Sequence, residues 1–237
     1  MSVVHLPRVD STQGTVFELA AAGAPDRTVV VADYQAAGRG RRGRAWDAPA
    51  GTSLLVSILL RPLGPPPRWS GYSLVSALAV ADALAQVADL GARLKWPNDV
   101  LVGGRKIAGI LLESRLAAGA RDGVVAVGIG VNLRQRAFPA GLAARATSVV
   151  LETGRLVERD AALAALLAAF DAWRARLEGE GLGPVRDRWL ALADTIGRRV
   201  SVDGVSGVAV DLDADGALVL EDGERRHRVV AGELEVV

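Results

Sequence analysis

Apolar residues along this 237-residue chain gather into short dense runs and two long periodic ones. VVHL (3–6), TVVVADY (28–34) and TSLLVSILL (52–60) have strand length and are bounded by turn-forming residues. From about Ser70 to Ala88, Leu74, Leu78, Ala81 and Leu84 recur at helical spacing and predict a long amphipathic helix. DAALAALLAAFDAWRARL (160–177) predicts another, followed by a shorter one around 184–193. Near the front, Asp10-Ser11-Thr12 is a helix-start signature for a short helix reaching about Ala22. RLKW, VLVGGRKIAGILLES and VVAVGIGVNL add strands joined by glycine-rich turns at 103–104 and 119–123.

After Asp194 the rhythm changes. Apolar and polar residues alternate between tight Gly/Asp turns, a meander of short strands that predicts a small β-barrel of about 45 residues. The fold class expected is therefore α+β: a mixed β-sheet with helices packed on one face over residues 1–192, then an all-β domain over 193–237. No internal repeat and no low-complexity linker interrupts the chain.

Composition narrows the chemistry. Half of the residues are hydrophobic and the formal charge is +1, the balance of a globular protein and not of one built to grip nucleic acid. There is no cysteine, so disulfides, thiolate zinc sites and thiol nucleophiles are excluded together. His5 and His227 lie near opposite ends and predict neither a metal cluster nor a triad. The N-terminus lacks a signal-peptide profile and no apolar run reaches membrane-spanning length, so a cytoplasmic protein without membrane contact is expected. Of 28 basic side chains only two, Lys95 and Lys106, are lysine, and they fall within eleven residues of each other. Lysine is a compact point charge and arginine a broad planar fork, so a chain this rich in arginine keeps lysine where the fork does not serve. The only asparagines are Asn98 and Asn132.

Three stretches carry the candidate chemistry. GRGRRGRAW (38–46) sets four arginines among three glycines and ends at Trp46, joining charge to a backbone free to bend. KWPNDVLV (95–102) puts Lys95 at a strand end and Asn98-Asp99 on a turn made by Pro97. In RKIAGILLES (105–114), Gly109 follows Lys106 by three residues, where a flat ligand can approach the backbone closely. Taken singly, these are also a basic patch, a surface turn and a half-buried strand, and GIGVN (128–132) is also a packed strand with glycine bulges.

In this order, GRGRRGRAW, KWPNDV, KIAGIL and GIGVN resemble the catalytic domain of biotin–protein ligases. The resemblance covers about residues 3–192 and extends to the C-terminal barrel, which is similar to that family's SH3-like domain. It implies the family's class II synthetase-like catalytic fold. It also implies ATP-dependent activation of biotin as biotinyl-5′-AMP, then transfer to a lysine of an apo biotin carboxyl carrier protein. Asp10-Ser11-Thr12 fits the family's biotin pocket, whereas Gln13 stands where the family has Asn. No segment ahead of Asp10 is long enough for the winged helix by which some members bind DNA, so no DNA partner is expected. By the same resemblance, Ser11, Thr12, Gln13, Gln35, Gly38, Arg39, Gly40, Arg41, Lys106 and Gly109 hold biotin. Arg41, Arg44, Trp46, Lys95, Asn98, Asp99, Lys106 and Asn132 surround ATP, with Asp99 near Mg²⁺. Lys106, Arg41 and Asp99 are the catalytic candidates, Asp99 doubling as a weakly marked base for the acceptor amine.

The physical chemistry agrees. A carboxylate must attack a triphosphate, and placed cations, Mg²⁺ and N–H groups offset the repulsion between two anions. Biotinyl-AMP is a mixed anhydride that water destroys, so a flexible basic lid over it is expected. Two rivals remain: a lipoate or octanoate ligase or transferase of the same fold, and, from another class, a nucleic-acid-binding module. Monomer and sheet-edge homodimer both stay open.

Overall fold

The computed structural model describes residues 2–62, 69–116 and 123–237. Seven strands form the first sheet: β1 (Ser2–Leu6), β2 (Thr28–Ala32), β3 (Ser53–Leu60), β4 (Arg93–Lys95), β5 (Asp99–Val102), β6 (Arg105–Leu116) and β7 (Gly123–Asn132). Their spatial order is β1-β2-β3-β7-β6-β5-β4. Only β1 and β2 run parallel; every other pair is antiparallel, so the sheet is mixed as expected. Of the turn expected at 119–123, residues 119–122 lie outside the described residues.

The helices are α1 (Thr12–Ala21), α2 (Gly71–Ala88), α3 (Ala140–Ala143), α4 (Val149–Thr153), α5 (Arg159–Glu180) and α6 (Leu182–Leu192). α2 and α5 pack on each other and cover Val29, Val31, Val56, Ile58, Val127 and Ile129. The short α1 lies on the opposite face, where Val16 and Phe17 close over Val30, Leu59 and Ala126. Successive strand residues point to opposite faces, so the two clusters use alternate positions of the same strands. The expectation of helices on one face is thus corrected for α1: β2 and β3 are buried at every position, which demands cover on both sides. α2 has the length and mean hydropathy, 1.4, to cross a membrane, but 72% of it is buried inside the protein as a core helix.

A second sheet follows α6: β8 (Arg199–Val202), β9 (Val205–Leu212), β10 (Leu218–Asp222), β11 (Arg225–Val229) and β12 (Leu234–Val236). Its five strands are antiparallel in the order β11-β10-β9-β8-β12, and the end strands β11 and β12 are not paired with each other. It docks on the 93–96 region: Asp194 N–H donates to Leu94 O (2.7 Å), Trp96 N–H to Thr195 Oγ1 (3.0 Å), and Trp96 Nε1–H to Gly216 O (3.3 Å).

Candidate active site

The Gly/Arg stretch folds as a miniature hairpin. Trp46 N–H donates to Gly38 O (2.9 Å), Gly40 N–H to Arg44 O (2.6 Å), and Arg39 pairs with Ala45. The turn at 41–43 places Arg42 at φ 55° and Gly43 at φ 73°. Gly38 is required by space: a Cβ there would stand 2.3 Å from Trp46 O.

The four arginines are not equivalent. Arg39 pairs with Glu113 of β6 (2.8 Å), Arg42 with Asp203, and Arg44 with Glu233 (2.9 Å), so two of the three carboxylates come from the C-terminal sheet. Arg41 alone has no carboxylate partner among the described residues; its Nη1 donates to Asn98 Oδ1 at 3.3 Å. Burial first, and then the Arg42 guanidinium, lower its pKa from the ordinary value, with Asp99 opposing. A half-buried cation lacking a counter-ion is the one that an incoming anion relieves most.

Beside the hairpin the sheet presents a bare floor. A Cβ on Gly130 would lie 2.5 Å from Trp46 Cε2, and one on Gly109 2.9 Å from Trp46 Cζ3, because the indole rests on both. The pairings of β7 with β3 and β6 run without a shift through Gly128 and Gly130, so these glycines are not bulges; they are positions stripped of side chain. Lys106 Nζ sits 5.6 Å from the Trp46 ring centroid and 2.5 Å from Asp99 Oδ1. Asn98 is fixed beside this pair: its Nδ2 donates to Ile110 O (2.7 Å), while Ile110 N–H donates to Asn98 O (2.9 Å).

At the start of α1, Gln35 Oε1 accepts from Thr12 N–H (2.8 Å) and Thr12 Oγ1 (3.0 Å), and the Thr12 and Ser57 hydroxyls are 2.7 Å apart. Gln13 spends its amide N–H groups on Leu111 O (2.8 Å) and Ala126 O (3.3 Å), bracing α1 to β6 and β7. Ser11 is the N-cap residue without a capping bond from its side chain.

A cavity of about 750 Å³ opens between the hairpin, the 96–98 turn, β6 and the C-terminal sheet; Arg41, Asn98, Leu111, Glu113 and Gly216 are on its wall. Among the expected site residues, Gly38, Arg39, Gly40, Arg41, Arg44 and Asn98 line it. Trp46, Asp99, Lys106 and Gly109 stand together next to it, linked through Asn98 and the hairpin. Ser11, Thr12, Gln13, Gln35, Lys95 and Asn132 are not on its wall. Asn132 is buried, with Nδ2 donating to Thr147 O (2.9 Å), and Lys95, at the end of β4 opposite Asp99, has no ion pair among the described residues. Sequence reasoning passed over Ser57, Glu113, Asp203 and Glu233, and took Gly128 and Gly130 only as part of the GIGVN motif, without a role. The alternation of glycines at 128 and 130 was the available signal for the floor; the carboxylates, being common surface residues, gave none.

Comparison with known proteins follows the same lines. The model of the Biotin/lipoate A/B protein ligase family matches residues 5–132, and that of the Biotin protein ligase C terminal domain matches 195–237. The chain is 41% identical over 240 residues to the biotin–[acetyl-CoA-carboxylase] ligase of Paracoccus denitrificans, covering 97% of this chain and 98% of that one. It is 33% identical to the bifunctional ligase/repressor BirA of Bacillus spizizenii, over 99% of this chain and 74% of the relative. Among solved structures, a biotin protein ligase from Aquifex aeolicus in complex with biotin and ATP superposes with a TM-score of 0.87 at 28% identity, covering 100% and 98% of the two chains.

Proposed function

Because the chain belongs to the Biotin/lipoate A/B protein ligase family, on the side of the biotin protein ligases, we propose that it joins biotin to the lysine of a carrier protein at the expense of ATP. The observation that carries this reading to the residues is the Lys106–Asp99 pair. It lies beside an indole-covered glycine floor, next to a hairpin whose Arg41 has no carboxylate partner among the described residues.

In the first step a biotin carboxylate oxygen attacks the α-phosphorus of ATP; the bond to the bridging oxygen breaks and pyrophosphate leaves. Both reactants are anions, so the barrier is lowered by cations fixed in place before they meet. Lys106 offers one small ammonium to a carboxylate and a phosphate oxygen together, as a planar guanidinium does not. Arg41 takes the phosphate of the adenylate. In the extended arm 38–40, Gly38 O and Gly40 N–H turn to the 44–46 strand, so the N–H of Arg39 turns the other way and is available to a carboxylate. In the second step the acceptor amine, once deprotonated, attacks the acyl carbon; the C–O bond breaks, AMP leaves and an amide forms. Asp99 is the carboxylate closest to Lys106 and the candidate to receive that proton.

Mg²⁺ at nucleotide sites is held by one or two carboxylates with phosphate oxygens and water, and neutralises charge on the phosphates. Asp99 fits that modest donor set, although no group of three or more metal-binding side chains gathers among the described residues. A cytoplasmic setting, where ATP and a carrier protein meet, belongs to the same proposal. Pyrophosphate release by the purified protein with ATP, Mg²⁺ and either biotin or lipoate tests it. Release with biotin and not lipoate is expected; the reverse overturns the reading in favour of a lipoate ligase.

A further inference from the structure

β6 carries its site-facing residues at odd positions. Gly109 lies under the indole, Leu111 beside Gln13, and Arg115 over the Phe17 ring at 4.0 Å. Glu113 sits between Leu111 and Arg115 in this series, a carboxylate on the inner face of a central strand. Its Oε2 is buried and makes no hydrogen bond of good geometry among the described residues, yet lies 2.8 Å from Arg39 Nη2. A carboxylate oxygen withdrawn from water costs stability unless a charge compensates it. Its compensating charge stands on the hairpin.

Arg39 is flanked by Gly38 and Gly40, neither of which has a side chain to hold the sheet. Among the described residues, the backbone bonds of the 38–40 arm run only to its partner strand at 44–46. The Arg39 side chain is therefore the arm's direct tie to the sheet, and Glu113 is what it is tied to. Asp203 and Glu233 hold the far side of the hairpin from the C-terminal sheet, so the loop is tethered on two sides.

We propose that Glu113 is a positioning residue for the ligation proposed above. Through Arg39 it fixes the height of the 38–40 arm over the sheet, and with it the N–H group that meets the biotin carboxylate. Although its side chain is on the cavity wall, it is assigned no contact with the reacting atoms. Biotin affinity therefore depends on Glu113 while the chemical step does not.

The test is Glu113→Gln in the full chain, with biotin affinity by calorimetry, steady-state kcat and KM, and the thermal midpoint as a check on folding. About a two- to fivefold loss of biotin affinity is expected, the upper range for an ion pair whose arginine is exposed, with kcat unchanged within error. Glu113→Asp, which keeps the charge one methylene shorter, should recover much of the loss. In an Arg39→Ala background the same Glu113→Gln change should add almost nothing, because the tie is already cut. An unchanged biotin affinity, or an equal loss with and without Arg39, overturns the proposal. If Glu113→Gln lowers the thermal midpoint steeply, Glu113→Asp and the Arg39→Ala cycle decide in its place. Failure of the wild-type chain to release pyrophosphate with biotin would instead sink the ligase reading itself.

Discussion

Replacing Lys106 with arginine keeps the charge and changes only its shape. The ammonium has close neighbours: Asp99 Oδ1 is 2.5 Å away, the Trp46 ring centroid 5.6 Å, and a Cβ on Gly109 would lie 3.1 Å from both Cε and Nζ. A guanidinium is longer and planar, so it must push the indole off the glycine floor or turn back toward Asp99. In either position it no longer offers one compact donor to a carboxylate and a phosphate at once. Each charge-assisted bond is worth about 1.5–3 kcal/mol, so losing two costs roughly 3–6 kcal/mol of transition-state stabilisation. That corresponds to a rate of adenylate formation lower by roughly two to four powers of ten. Pyrophosphate release with saturating biotin and ATP measures it, and a near-normal thermal midpoint would show that the pair with Asp99 survives. If Lys106→Arg releases pyrophosphate within fivefold of wild type, the argument from ammonium shape is wrong.

Arg41→Gly leaves the hairpin flexible and removes the loop arginine that has no carboxylate partner among the described residues; adenylate should still form but escape roughly 10–150-fold faster, one charge-assisted bond's worth. A blot for biotin on an unrelated lysine-rich protein reads the escape, and an unlabelled bystander with adenylate still being made would count against a latch. Gly130→Ala puts a methyl 2.5 Å from Trp46 Cε2, so the indole must lift; an overpacking cost of about 1–3 kcal/mol and weaker biotin binding are expected, with calorimetry and the thermal midpoint as measurements. At Asp213, burial raises the carboxyl pKa, but hydrogen bonds from Asp215, Arg228 and the Ala217 N–H outweigh it and bring it down to about 2. A folded-state pKa below the unfolded value stabilises above the unfolded pKa and fades as pH falls through the folded one. The stability gap between wild type and Asp213→Asn should then be open at pH 6 and close between about pH 4 and pH 2; a gap that persists at pH 2 would refute the assignment.

How far the sequence alone reached depends on whether a feature is local. Helix periods, strand runs and the change of rhythm after Asp194 are written in consecutive residues, and α2, α5, β3 and the C-terminal strands fall where the pattern put them. The placement of α1 was also legible in principle. Apart from Thr28, Ser53 and Ser57, TVVVA and SLLVSILL are apolar throughout instead of alternating, which a sheet covered on one face does not need. Reading strand length without strand patterning hid the second layer.

The site divides along the same line. Lys106 is visible because lysine is rare in this chain, and the hairpin because glycine and arginine crowd one stretch. Glu113 and Asp203 are invisible because each is an ordinary acidic residue until folding brings Arg39 and Arg42 to it, 74 and 161 positions away in the chain for the two pairs. That difference has a functional sense. Groups proposed to meet the substrates must match a fixed ligand chemistry, so their residue types are constrained and stand out. Groups that only tether the loop need nothing but the opposite charge at the right distance. Four arginines on one flexible loop repel one another, and three carboxylates from β6 and the C-terminal sheet offset that repulsion while leaving Arg41 unneutralised. The loop is then held in place by the charges it does not lend to the substrate, and the one it keeps free is the one its proposed chemistry requires.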